Sequence, residues 1–119
     1  MYYKLKIMKK IILSFFVSLF FVLTGFSQTV YTVDYESRAD VKVFVVDYES
    51  RADLCVYKVD YESRATGNDG KWFFVDYESR AKKKIYFVDY ESRADLKIYF
   101  VEYESRAGWK NSSKKHLMY

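Results

Sequence analysis

The chain has 119 residues, 20 Lys and Arg against 16 Asp and Glu, no proline, one cysteine and one histidine. A length of this order makes one domain. The lone Cys55 excludes an internal disulfide framework, and the lone His116, near the C-terminus, leaves neither a His-centred catalytic triad nor a His-rich metal site on a fixed scaffold.

Residues 1–27 read as a secretory signal peptide. Lys4, Lys6, Lys9 and Lys10 precede an uncharged run from Ile11 to Leu23, and Gly25-Phe26-Ser27 places small residues two apart before Gln28, the expected cleavage point. Met8 offers a second possible start for the same signal. As a helix the thirteen-residue run reaches about 20 Å, short of the roughly 30 Å hydrocarbon core, so a membrane anchor fits less well. The expected product is exported, periplasmic or extracellular, with no stable membrane span after cleavage. All four lysines leave with the signal and no acid does, so residues 28–119 balance at 16 basic against 16 acidic side chains. A neutral domain gives no reason to expect nucleic acid as a partner.

Residues 28–119 form one domain of tandem repeats. Val-Asp-Tyr-Glu-Ser-Arg-Ala begins at Val33, Val46, Val59, Val75 and Val88 and returns with one Asp-to-Glu change at Val101. The spacing is 13 residues except between the third and fourth copies, where it is 16. Self-similarity at a fixed period marks a repeat architecture. Within the unit Val88–Phe100, odd positions hold Val, Tyr, Ser, Ala, Leu and Ile, while even positions are mostly charged; this period of two predicts half-buried strand. The fold class is therefore all-β.

Two connections are compatible with the period. A straight strand such as 96–103 spans about 26 Å, more than five linking residues can retrace at about 17 Å. Each unit must either bend into one coil of a narrow parallel β-solenoid or alternate direction in an antiparallel β-meander or small barrel. Glu-Ser-Arg-Ala lacks the Gly, Asn or Pro of tight hairpins, which favours the solenoid. In it, like residues would stack in ladders. The parity then places Tyr35, Tyr48, Tyr61, Tyr77, Tyr90 and Tyr103 in the core, and Tyr31, Phe44, Tyr57, Tyr86 and Tyr99 on the surface. Cys55 shares the position of Lys42 and Lys97 and is expected at the surface too. Thr66-Gly67-Asn68-Asp69-Gly70 carries the missing turn residues, and Trp72 and Trp109 lie beside the irregular segments, where Trp109 in particular could cap an open core end. Solenoid ends or sheet edges would be the route to any self-association.

Chemistry is sparse. Every repeat Ser has five equivalents and no special neighbour, and acid-base catalysis needs carboxyls in different environments, which repetition makes alike. No catalytic residue, cofactor or enzymatic role is expected. The paired carboxylates Asp34 and Glu36, Asp47 and Glu49, Asp60 and Glu62, Asp76 and Glu78, Asp89 and Glu91, and Glu102 and Glu104 sit two apart, hence on one face of a strand, and are the candidate ligands of a Ca²⁺ or other cation-binding module. Against this, the Gly-rich calcium turn of solenoids is missing, and Arg38, Arg51, Arg64, Arg80, Arg93 and Arg106 stand ready to neutralise the acids as surface ion pairs. The leading expectation is a non-catalytic exported β-repeat protein whose regular charged and aromatic surface serves binding or assembly with a partner the residues do not specify.

The tandem Val-Tyr-x-Val-Asp-Tyr-x-Ser-x-Ala-Asp pattern, the insertion Gly67-Asn68-Asp69-Gly70-Lys71-Trp72-Phe73-Phe74 and the ending Gly108-Trp109-Lys110-Asn111 through Lys114-Lys115-His116-Leu117-Met118-Tyr119 resemble a family of short exported bacterial proteins of unknown function. The resemblance implies a small β-rich secreted or periplasmic domain, and supplies no catalytic residue.

Overall fold

A computed structural model describes residues 26–119; the expected signal, apart from Phe26 and Ser27, lies outside them. The alternating stretches form seven strands: β1 Thr29–Thr32, β2 Val41–Val45, β3 Leu54–Lys58, β4 Lys71–Phe74, β5 Lys83–Phe87, β6 Leu96–Phe100 and β7 Gly108–Trp109. Their order in the sheet is β4-β1-β5-β2-β6-β3-β7, and β3 also pairs with β4. The sheet therefore closes on itself. All pairings are parallel except the short β3–β7 contact. The all-β, parallel, solenoid-like expectation is met, with one addition: apart from β3 and β4, hydrogen-bonded neighbours are not consecutive strands.

Going round the ring, every connection but β3 to β4 skips a whole strand, and β4 shares the side of β3 with β7. The chain steps from β1 over β5 to β2, over β6 to β3, past β7 to β4, then over β1, β2 and β3 to β5, β6 and β7. Two windings thus interleave in one barrel. The register explains how thirteen residues suffice. Thr32 and Val41 both lie opposite Ile85, on its two sides, so residues 33–40 bring the chain back to the level it left, two strands further round. Each return is folded by a 3-10 turn at Glu-Ser-Arg, such as Glu36–Arg38, flanked by extended Tyr35 and Ala39, with Ala39 N–H donating to Glu36 O. Turns at Glu36–Arg38, Glu78–Arg80, Glu91–Arg93 and Glu104–Arg106 pack against the skipped β5, β1, β2 and β3 respectively.

This register also offsets the repeats. Val43 lies opposite Phe87 on one side and Leu96 on the other, so residues two positions apart in the repeat become neighbours and like residues do not stack in ladders. The inward positions of all strands merge into one core of Val30, Val41, Val43, Leu54, Val56, Trp72, Ile85, Leu96 and Ile98, each at most 2% exposed. Trp72 occupies an ordinary core position of β4 rather than an end cap. The 3-10 helix Ser112–Met118 brings Met118 into the same core. Trp109, paired beside β3 opposite Leu54, packs against this core, and its indole N–H donates to Asn68 O at 2.8 Å.

The three-residue insertion serves the one slot in the ring that two strands share. β7 occupies the first half of β3's free side, opposite Leu54 and Cys55, and β4 the second half, opposite Tyr57 and Lys58. Gly70 sits at the junction with φ +86°, where an added Cβ would lie 2.3 Å from Cys55 O. Only glycine fits there. Strand starts are fixed by Asp: Asp40, Asp53 and Asp95 each donate a backbone N–H to Lys84, Lys97 or Lys42 O, and each carboxylate accepts the same lysine's N–H at 2.9 Å. Among the described residues, no helix is long and apolar enough to cross a membrane.

Candidate functional site: a girdle and a crown

Because the Glu-Ser-Arg turns lie side by side round the barrel, their charges meet across repeats distant in sequence. Arg38 pairs with Glu78, Arg93 with Glu36, Arg51 with Glu91, Arg106 with Glu49, Arg64 with Glu104 at 2.7 Å and Arg80 with Glu62 at 3.5 Å. Every repeat Arg and every repeat Glu is used once. The pairs close into one six-membered ring, and its widest link, Arg80–Glu62, falls where the two windings join. Lys42, Lys84 and Lys97 add a second cation to Glu36, Glu78 and Glu91 at 3.6–3.9 Å. The expected neutralisation by arginine is thus present for the Glu36-type acids alone, organised as a girdle.

The acids expected to share a strand face do not. Asp34 and its equivalents lie in bends and Glu36 and its equivalents in 3-10 turns, because the chain leaves the sheet after the repeat Val. Glu36, Glu49, Glu62, Glu78, Glu91 and Glu104 face arginines, whereas Asp34, Asp47, Asp60, Asp76, Asp89 and Glu102 are exposed and make no ion pair among the described residues. No group of three or more His, Cys, Asp or Glu among those residues stands ready to hold a metal ion.

The tyrosine expectation is overturned. Tyr35, Tyr48, Tyr61, Tyr77, Tyr90 and Tyr103 are 65–68% exposed, since each precedes a 3-10 turn on the outer return path rather than lying in a strand. Strand parity does not apply there. Tyr31, Phe44, Tyr57, Tyr86 and Tyr99 point outward from strands but are half-buried, in the layer of the overlying returns. Beside each exposed tyrosine stand the unpaired acid and an exposed serine, Ser37, Ser50, Ser63, Ser79, Ser92 or Ser105. The result is a crown of six Asp/Glu-Tyr-x-Ser units on the outer surface. At the sixth unit, Tyr99, Phe100, Val101, Glu102, Tyr103 and Arg106 line a hollow of about 310 Å³.

Cys55 also departs from expectation. It points outward like the lysines of its position, but β7 lies over it opposite Gly108, leaving it 1% exposed with its thiol 3.5 Å from Glu49 Oε1. Burial, reinforced by the hydrogen bond to Glu49 and its charge, raises the thiol pKa above its ordinary 9.0. A buried neutral thiol is a poor nucleophile.

The geometry defines a class: a closed parallel β-barrel, wound twice by a single chain, that turns a repeated polar segment outward. A family model described as the 7(1) septoil knot domain matches residues 27–110, and the chain belongs to that family. Neither a curated protein nor a solved structure matches the chain.

Proposed function

We propose that the protein is an exported, non-catalytic scaffold whose crown binds a partner bearing ammonium or guanidinium groups. The observation that carries this reading is the six tyrosines held 65–68% exposed at equivalent places, although the fold draws on Val, Glu, Arg and Ala of the same segment and leaves Asp, Tyr and Ser outside. Tyrosine supplies large contact area at low entropic cost and a π-face for cations. The neighbouring carboxylate of each unit lacks a cation in the girdle, so the charge that complements it is positive. Six weak units presented together gain by multivalency.

Titration of the folded protein with an arginine-rich and a glutamate-rich peptide of equal length tests this. The arginine-rich peptide alone should bind, more weakly as salt rises. Equal binding of both, or of neither, removes the proposal.

A further inference from the structure

We infer that Gln28 is a modification site: once the chain is cut after Ser27, its new N-terminal glutamine closes to pyroglutamate. This rests on the export reading above, since it needs the amine that hydrolysis of the Ser27–Gln28 bond by an export peptidase would release. Gln28 is fully buried, at a position that faces the barrel interior. Its side-chain Nε2 and Oε1 have no hydrogen-bond partner, and neither has Nε1 of Trp72; the register that sets Thr29 opposite Phe73 puts Gln28 opposite Trp72.

Buried polar groups are normally satisfied, and an orphaned primary amide costs stability. Cleavage alone would add a worse problem. The new terminus would be an ammonium with three N–H groups where Gln28 N has one acceptor, Ala65 O at 2.6 Å, next to an inward side chain whose amide is already unpaired, and an incompletely paired charge there is costly.

Cyclisation removes the charge and the unpartnered NH₂ group, and Oε1 stays as the lactam oxygen. The amine Nα attacks the side-chain carbonyl carbon Cδ; the Nα–Cδ bond forms, the Cδ–Nε2 bond breaks, and the amide nitrogen leaves as ammonia with a proton from Nα. No oxidant or reductant enters. The ammonium becomes a neutral lactam N–H, and the unpartnered NH₂ group is gone. The Gln28 carbonyl that accepts Phe73 N–H at 3.0 Å belongs to the backbone and is retained, so β1 keeps its pairing with β4.

The intact mass of the protein, expressed as the full chain in a bacterium and recovered after export, decides the matter. The expected species is Gln28–Tyr119 lighter by one ammonia and resistant to stepwise N-terminal degradation. The unmodified mass of Gln28–Tyr119 overturns the inference while leaving export intact. A chain starting elsewhere overturns it by removing the cleavage on which it rests. Gln28→Asn keeps the amide but cannot close a five-membered ring; it should retain a degradable N-terminus and melt below the cyclised protein, and equal melting would show that ring closure relieves nothing.

Discussion

Replacing Arg93 and Glu36 by Met and Gln, singly and together, tests the interleaved path in solution. The two residues are 57 apart in sequence and belong to the fifth and first repeats, yet their side chains form an ion pair. With side-chain exposures of 55% and 33%, solvent screens much of the attraction, so the pair is worth about 0.5–1 kcal/mol rather than the several of a buried one. A double-mutant cycle on urea-unfolding free energies should return a coupling of that size. The same cycle on Arg93 and Glu104, residues of consecutive repeats, should return zero within about 0.3 kcal/mol. A simple stack of consecutive coils makes the opposite forecast. Coupling of Arg93 to Glu104 with none to Glu36 would refute the double winding.

Other consequences follow from individual contacts. Asp53 is 5% exposed and its carboxylate receives Lys97 N–H, Asn111 Nδ2 and, at 3.6 Å, Lys114 Nζ; Asp53→Ala should cost about 2–4 kcal/mol in urea unfolding, whereas exposed Asp40→Ala, which loses only a strand-start bond, should cost about 1 kcal/mol. Trp72→Ala empties the largest core side chain and should cost about 3–5 kcal/mol by the same assay. The raised thiol pKa means the native protein holds the Cys55 proton more tightly than the unfolded chain. The linked stability is present below pH 9.0 and declines as pH rises beyond it. Subtracting the pH profile of Cys55→Ala should isolate that decline, and native-state alkylation of Cys55 should be slow. Because the repeat glutamates are held by arginines, the melting temperature should be equal in Ca²⁺ and in chelator; a rise with Ca²⁺ would establish a cation site.

Much of the fold was legible from the period alone. Alternation of Val41, Val43, Leu96 and Ile98 with lysines and tyrosines marks strands, and the absence of hairpin residues in Glu-Ser-Arg-Ala points to parallel neighbours. Arg38 and its equivalents were recognisable as the counter-ions of the repeat acids. What the repeat cannot state is which copy neighbours which, because near-identical units carry similar pairing preferences; the largest asymmetric mark is the insertion at Thr66–Gly70, where the two windings share a slot. Strand parity does not place Tyr35, because at Asp34-Tyr35-Glu36 the chain has already left the sheet. A run of small and charged residues around Ser37 is the signal that could have ended the strand at Val33. The burial of Cys55 has no periodic signal, because the strand that covers it, β7, is made of only Gly108 and Trp109.

The central claim is that the six exposed tyrosines serve recognition and not folding. It is tested most directly by changing Tyr35, Tyr48, Tyr61, Tyr77, Tyr90 and Tyr103 together to Ser and measuring the melting temperature and the affinity for the arginine-rich peptide on one sample. The account predicts a melting temperature within a few degrees of the parent, as expected for exposed sites, with affinity reduced by about tenfold or more. Unchanged affinity, or loss of the fold itself, would contradict it.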